Sequence, residues 1–279
     1  MQRCSGPSSW GCDFMAESIA TTDPRIRLER DGVLVRLIIN RTDKHNALDN
    51  PMVLALEDAA RAIERLTGVE VAILSGAGDK SFCGGGDIAA WSELSPADFG
   101  MAWVRHGHRA FDALARLRQP LIANLNGHAL GGGLELAACA DFRIAEEHTR
   151  IGQPEAGLGI IPGWSGTQRA VRRFGSQIVR RMAIGGEAFG AAEALALGIV
   201  DQVVPKGAGM AAAEAMAARI AARGPKATQM IKILINAAEG EDTERAIEAA
   251  AGAFAATTQE LREGVAAFTG KRKPDFGKT

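Results

Sequence analysis

Apolar residues follow two different periods along the first two-thirds of the chain. Val33–Ile39 (VLVRLII) is a β-branched run bounded by Asp31-Gly32 and Asn40-Arg41, which predicts a strand. Residues 51–66 open with Pro51 after Asp49-Asn50 and set Leu54, Ala55, Asp58, Ala59, Ala62, Ile63 and Leu66 at i, i+3, i+4 spacing. That spacing predicts an amphipathic helix with a proper start. Val69–Leu74 (VEVAIL) predicts a second strand, residues 96–117 a helix, and Leu121–Leu125 (LIANL) a third, buried strand. An Ala-rich helix follows to about Ala140, then short strands at Phe142–Ala145 and Ile199–Val204. A Gly- and Pro-rich loop (152–168) and helices near 168–184 and 191–197 separate those two strands. Strand and helix in alternation predict an α/β fold built from crossover units.

After Pro205 the pattern changes. Residues 210–223, 225–238, 243–257 and 258–268 are rich in Ala, Glu and Arg and hold no strand-like run. Such a helical module of about 70 residues is too thin to bury its apolar faces alone, so it must pack on the core or on another subunit. At the other end, Gly, Pro, Ser and isolated aromatics mix without the apolar stretch that a secretory signal needs. The expected organisation is a loose tail over 1–20, a core over 21–205 and a helical module over 206–279. Met15 is an alternative start, which would make residues 1–14 an upstream extension.

Composition narrows the function classes. With 32 Lys+Arg against 33 Asp+Glu, the net charge of −1 provides no long-range field for nucleic acid or an anionic membrane. At 47% hydrophobic and 23% charged, the chain is globular in composition. No apolar run approaches the roughly 20 residues of a membrane helix. Cys4, Cys12, Cys83 and Cys139 form no Cys-x-x-Cys pair and have no histidine at zinc-finger spacing, which points to reduced thiols and a cytoplasmic location.

Glycine is in excess, 33 of 279 residues against a usual share of roughly 7%. Two clusters stand out, Gly84-Gly85-Gly86 and Gly131-Gly132-Gly133, each after a strand. Gly84-Gly85-Gly86-Asp87-Ile88-Ala89 matches G-x-G-x-x-A in form, but it lies too far from its strand and lacks an acidic residue at a convincing offset. Nor does a P-loop occur. Bare amides at the start of a helix leave donors unpaired, and two of them converging on one carbonyl oxygen would stabilise an oxyanion. The alternative reading is that both clusters only permit tight turns and close packing. Glu135 falls in the first turn after the second cluster and Glu155 in the loop Gly152-Gln153-Pro154-Glu155. Two carboxylates beside a polarised substrate can hold and split a water molecule; taken singly, each reads equally as a helix-dipole partner or a solvated side chain.

The combination resembles the enoyl-CoA hydratase/isomerase (crotonase) superfamily. The residues that carry the resemblance are Asn126-Gly127-His128-Ala129-Leu130-Gly131-Gly132-Gly133-Leu134-Glu135-Leu136-Ala137, Cys139-Ala140-Asp141, Gly152-Gln153-Pro154-Glu155 and Pro162-Gly163-Trp164-Ser165-Gly166-Thr167-Gln168-Arg169. Lys44-His45-Asn46-Ala47-Leu48, Ser81-Phe82-Cys83-Gly84-Gly85-Gly86-Asp87-Ile88 and Ala267-Phe268-Thr269-Gly270-Lys271 match as well, so the likeness runs from about residue 25 to the C-terminus. It implies a spiral of β-β-α units with a helical C-terminal oligomerisation module. It also implies hydration of a 2-enoyl-CoA to a 3-hydroxyacyl-CoA in fatty acid metabolism. By the resemblance the amides of Gly84 and Gly132 form the oxyanion hole, Glu135 activates water and Glu155 protonates C2. Lys44, His45, Ala47, Gly84, Gly85, Gly86, Asp87, Ile88, Gly132, Phe268 and Lys271 would contact substrate. CoA phosphates would fall to Arg41, Lys44 and His45 and to Lys271, Arg272 and Lys273. No cofactor is implied, since coenzyme A is part of the substrate, and no metal. The implied assembly is a homotrimer or a dimer of trimers. Isomerase, decarboxylase, thioesterase and dehalogenase chemistry on the same fold stay open, as does a non-catalytic acyl-CoA- or RNA-binding relative.

Some positions depart from the family. Trp164 and Ser165 stand where smaller residues are common, and Ala156 where a larger aliphatic is. Trp164 either narrows the acyl pocket or is plain packing. His106 and His108 are i, i+2 and share no helix face, which argues against a metal there. Gly163-Trp164-Ser165-Gly166-Thr167 is not the serine-hydrolase elbow.

Overall fold

The computed structural model describes residues 16–243 and 257–278. They divide into two compact units, the first ending at Thr228 and the second beginning at Gln229. In the first unit, two sheets carry the fold. The larger is ordered β1-β2-β3-β4-β6-β8-β11, formed by β1 (Glu17–Ile19), β2 (Ile26–Asp31), β3 (Leu34–Ile39), β4 (Val71–Gly76), β6 (Leu121–Leu125), β8 (Phe142–Glu146) and β11 (Gln202–Val204). Pairing is antiparallel from β1 to β3 and parallel from β3 to β11. The smaller sheet is ordered β10-β9-β7-β5, from β5 (Ser81–Cys83), β7 (His128–Leu130), β9 (Arg150–Gly152) and β10 (Ala188–Gly190).

Side-chain alternation divides the apolar residues of the large sheet between two cores. Leu34, Val71, Ile73, Ile122 and Ile144 share one with Ala213, Met216 and Ala217 of α9 (Gly209–Ala221). Val35, Leu37, Ile39, Ala72, Leu74, Leu121 and Ala123 share the other with Met52, Leu56 and Ile63 of α1 (Asn50–Arg65) and Phe111 and Leu114 of α4 (Arg105–Ala115). Covered on both faces, β4 is buried along its whole length, which is why it reads as a continuous apolar run. Helix α1 starts as its sequence predicts, with the Asp49 carboxylate accepting the Met52 N–H at 3.1 Å.

The elements depart from the sequence reading in instructive places. The smaller sheet goes unpredicted because strands of three residues put at most two side chains on one face, too few for a period to show. Residues 17–19, expected in the loose tail, instead pair with Leu28–Arg30 as an edge strand. After the short α2 (Ile88–Trp91), the single helix expected over 96–117 is α3 (Pro96–Asp98), a π-helical turn over Phe99–Val104 and then α4. The helix expected over 168–184 is cut at Gly175, whose φ of +88° ends α6 (Arg169–Phe174) before α7 (Ser176–Ala183). The strand expected over 199–204 begins only at Gln202, because the Ile199 carbonyl accepts the Arg143 Nε–H instead of a ladder amide.

Large-sheet strands β4, β6 and β8 are each followed by a small-sheet strand, β5, β7 and β9. The second of these pairs leads into α5 (Gly132–Ala137), and α8 (Ala191–Ala196) follows β10. These are the β-β-α units that the resemblance implies. Helix α10 (Pro225–Ala238) spans the division between the units, and α11 (Gln259–Thr269) belongs to the second. The helix expected over 243–257 lies almost wholly outside the described residues.

Candidate active site

Strands β5, β7 and β9 run parallel as neighbours, so the segments leaving their C-terminal ends come together. Those segments are Gly84–Gly86, Gly131–Glu135 and Gln153–Glu155. The φ of +56° at Gly131 turns the chain from β7 directly into α5. Contact between the glycine clusters is close: a Cβ at Gly133 would stand 1.9 Å from the Cys83 carbonyl oxygen. Gly86, Gly132, Glu135, Glu155, Trp103 and Trp164 are among the residues lining a cavity of about 100 Å³.

The amides sort themselves by their partners. The Gly84 N–H donates to the His45 carbonyl at 2.9 Å, so the expected role of Gly84 as an oxyanion donor is corrected. Two consecutive left-handed residues, His45 at φ 52° and Asn46 at φ 57°, turn that carbonyl toward Gly84. Gly86 is the donor left over in this cluster. Its neighbours pair with Leu48, through Leu48 N–H to the Gly85 carbonyl and Asp87 N–H to the Leu48 carbonyl, both 2.8 Å. The Gly86 N–H itself has no acceptor among the described residues. Gly132 is likewise without one, because a helix's first amides have no carbonyl behind them. Nothing in the run of three glycines marks which amide is free; the Leu48–Gly86 bridge decides it.

The two carboxylates differ in environment. Glu135 is buried, and its Oε1 accepts the Trp164 and Gly166 N–H groups at 2.7 Å each. Ser165 between them has φ +81°, so the turn folds two amides onto one oxygen. Burial, and then the neighbouring Glu155, push the Glu135 carboxyl up to about 8, against the two amides that favour its charge. Glu155 opens a 3₁₀ turn, Glu155–Leu158, and neither of its carboxylate oxygens has a hydrogen-bond partner among the described residues. Burial raises its pKa as well. Sequence reasoning missed the turn at Ser165, although Pro162-Gly163 and Gly166 around it are turn residues.

The expected CoA residues divide. Lys44, His45, Ala47, Gly84, Gly86, Asp87 and Ile88 line a second hollow of about 500 Å³ beside the first. Gly85 lines the cavity of the glutamates. Arg41 is held by Asp87 at 2.8 Å and Asp49 at 3.6 Å, which corrects its reading as a phosphate ligand. Asp87 is tied in turn, capping α2 at Ala89 N–H. In the second unit Phe268 is 87% exposed and Lys271 has φ +50°, while Arg272 pairs with Glu263. His106 and His108 bond to Asn50 and Ser165 respectively. Cys83 is buried and its thiol is pushed up to about 12, which removes it as a nucleophile. Among the described residues no group of three or more His, Cys, Asp or Glu can hold a metal ion, and no helix is long and apolar enough to cross a membrane.

The chain is similar to known proteins in sequence and in fold. A crotonyl-CoA hydratase of Syntrophomonas wolfei is 39% identical over 256 residues, covering 90% of this chain and 97% of that one. A short-chain-enoyl-CoA hydratase of Clostridium acetobutylicum is 36% identical, covering 88% and 95%. The crystal structure of a Bacillus anthracis enoyl-CoA hydratase superposes with a TM-score of 0.75 at 32% identity, covering 90% of this chain and 98% of that one. With the enoyl-CoA hydratase/isomerase family model matching residues 29–279, this chain belongs to that family.

Proposed function

We propose that the protein adds water across the double bond of a 2-enoyl-CoA, giving a 3-hydroxyacyl-CoA. The observation that carries the reading is the pair of buried carboxylates, Glu135 and Glu155, beside two free backbone amides. The thioester oxygen accepts the Gly86 and Gly132 N–H groups, which draws electron density from C3. Glu135, held by two amides on Oε1, takes a proton from water as its oxygen bonds to C3 when the one proton of the pair resides on Glu155. Charge passes through C2 to the thioester oxygen, giving an enolate that the two amides stabilise. Glu155, with no donor to hold its charge, carries the other proton and delivers it to C2. The pair thus works with one proton between two raised carboxyls, and its apparent pKa values belong to both. Loss of one oxyanion donor typically costs ~2.7–4 kcal/mol in the barrier.

CoA lies along the hollow beside Lys44 and His45 in this reading. Exposed Met230, Ile231, Leu234 and Ile235 on α10, and Leu261, Val265 and Phe268 on α11, support self-association into a trimer or a dimer of trimers. The compartment is the cytoplasm. Purified protein mixed with crotonyl-CoA should consume the conjugated thioester absorbance. Glu135→Gln and Glu155→Gln should each lower kcat by about 10²–10⁴. Unchanged turnover in Glu135→Gln, with loss only in Glu155→Gln, would replace hydration by one-carboxylate isomerisation.

A further inference from the structure

We propose that Trp164, seated in a notch left open by Gly107, is the stop that restricts this protein to short acyl chains. The proposal rests on the acyl-CoA reading of the cleft and adds the substrate class to it.

Trp164 is 2% exposed, yet its ring lines the cavity that holds both glutamates. Its indole extends between the two glycine clusters. A Cβ at Gly132 would stand 2.9 Å from Cε3 and Cζ3, and one at Gly86 would stand 3.5 Å from Cη2. The ring therefore lies within reach of a side chain at both proposed oxyanion donors, where the first carbons of an acyl group begin, and at Gly86 the Trp103 Cζ2 is nearer still, 2.8 Å from such a Cβ. Gly107 on α4 makes this position possible. A Cβ there would lie 1.9 Å from the indole Nε1, a distance that no relaxation of a close-packed interior absorbs.

The ring is also fixed from behind. Its Nε1–H donates to the Trp103 carbonyl at 3.4 Å, and that residue belongs to the π-helical turn over Phe99–Val104. Such turns recur at functional sites. Ring centroids of Trp103 and Phe111 lie 4.9 and 5.1 Å from that of Trp164. Three aromatic rings thus fill the space behind the glutamates, and the cavity left is about 100 Å³. Pockets for drug-sized ligands run to roughly 300–1,000 Å³. A four-carbon chain ends before the indole, whereas a longer one must displace it or leave by the open side.

The test compares the full-length protein with Trp164→Phe, Trp164→Leu and Trp164→Ala. Dissociation constants for butyryl-CoA and decanoyl-CoA come from calorimetry, and kcat/KM for crotonyl-CoA and 2-decenoyl-CoA from thioester absorbance. A methylene that a pocket rejects changes selectivity by about 10–200-fold. The wild type should therefore favour butyryl-CoA at least tenfold, and the preference should shrink in the order Trp, Phe, Leu, Ala, by at least tenfold across the series. Circular dichroism checks each fold, and Trp164→Phe carries the comparison if the smaller variants unfold. A wild type that binds both chains equally, or a ratio unmoved by the substitutions, overturns the proposal and leaves Trp164 as core packing. Binding needs no turnover, so the two readings fail separately. Selective binding without hydration sinks the hydratase reading alone, whereas hydration with an unmoved ratio sinks the stop alone. Failure to bind either acyl-CoA sinks both.

Discussion

Glu135 owes its state to opposing forces on one side chain. Two amide hydrogen bonds of 2.7 Å favour the carboxylate, while burial and Glu155 favour the acid and prevail, raising the pKa from 4.5 to about 8. Protons bind the folded form more tightly than the unfolded one, so this residue's contribution to stability is fully present below pH 4.5. It declines as pH rises toward 8 and is constant beyond. Glu135→Gln, which keeps an acceptor for the two amides, should therefore be more stable than the wild type at pH 8, by roughly a few kcal/mol, and melt at a higher temperature there. The advantage should vanish below about pH 4.5, and calorimetric scans across pH would show it. The residue scale was partly legible: Glu135 and Glu155 stood out by type and context. Gly84 and Gly86 could not be told apart, because an amide's freedom depends on a carbonyl some 40 positions earlier, His45 or Leu48.

The turn over Gly163–Gly166 shows the same limit for an element. It has no regular period, yet it holds the Glu135 carboxylate by aiming two amides at Oε1. Its conformation turns on Ser165 at φ +81°, in a region that glycine enters freely and β-branched residues resist. Ser165→Gly should hold kcat within a few-fold of the wild type, although it loses the 3.0 Å contact with His108. Ser165→Val should lower kcat at least tenfold and lower Tm, since its strain of roughly 1–3 kcal/mol would open the turn. Equal kinetics in the two variants would show that the turn does not position Glu135. Long elements such as α1 and β4 were legible because their apolar spacing is local. The small sheet was not, since β5, β7 and β9 are specified by pairing with strands distant in sequence.

At the level of the whole molecule, the apolar side chains left exposed on the helical module carry the next prediction. Leu261, Val265 and Phe268 lie at i, i+4 and i+7 on α11, one face of a helix, and are 47%, 56% and 87% exposed. Light scattering should give three or six times the 29.3 kDa chain mass, and Leu261→Glu with Val265→Glu should reduce it to one. A wild type of single-chain mass would refute self-association. The sequence by itself determined the family, the α/β alternation, the helical character of the described residues after Pro205 and the choice of Glu135 and Glu155 as candidates, because motifs, periods and residue types are local properties of the chain. Tertiary structure alone decided which amide is free, how Oε1 of Glu135 is held, that Arg41 is spent on Asp87 and that Gly107 makes room for Trp164. Each of these is a contact between segments far apart in sequence, and no local pattern encodes the position of a distant carbonyl, carboxylate or ring.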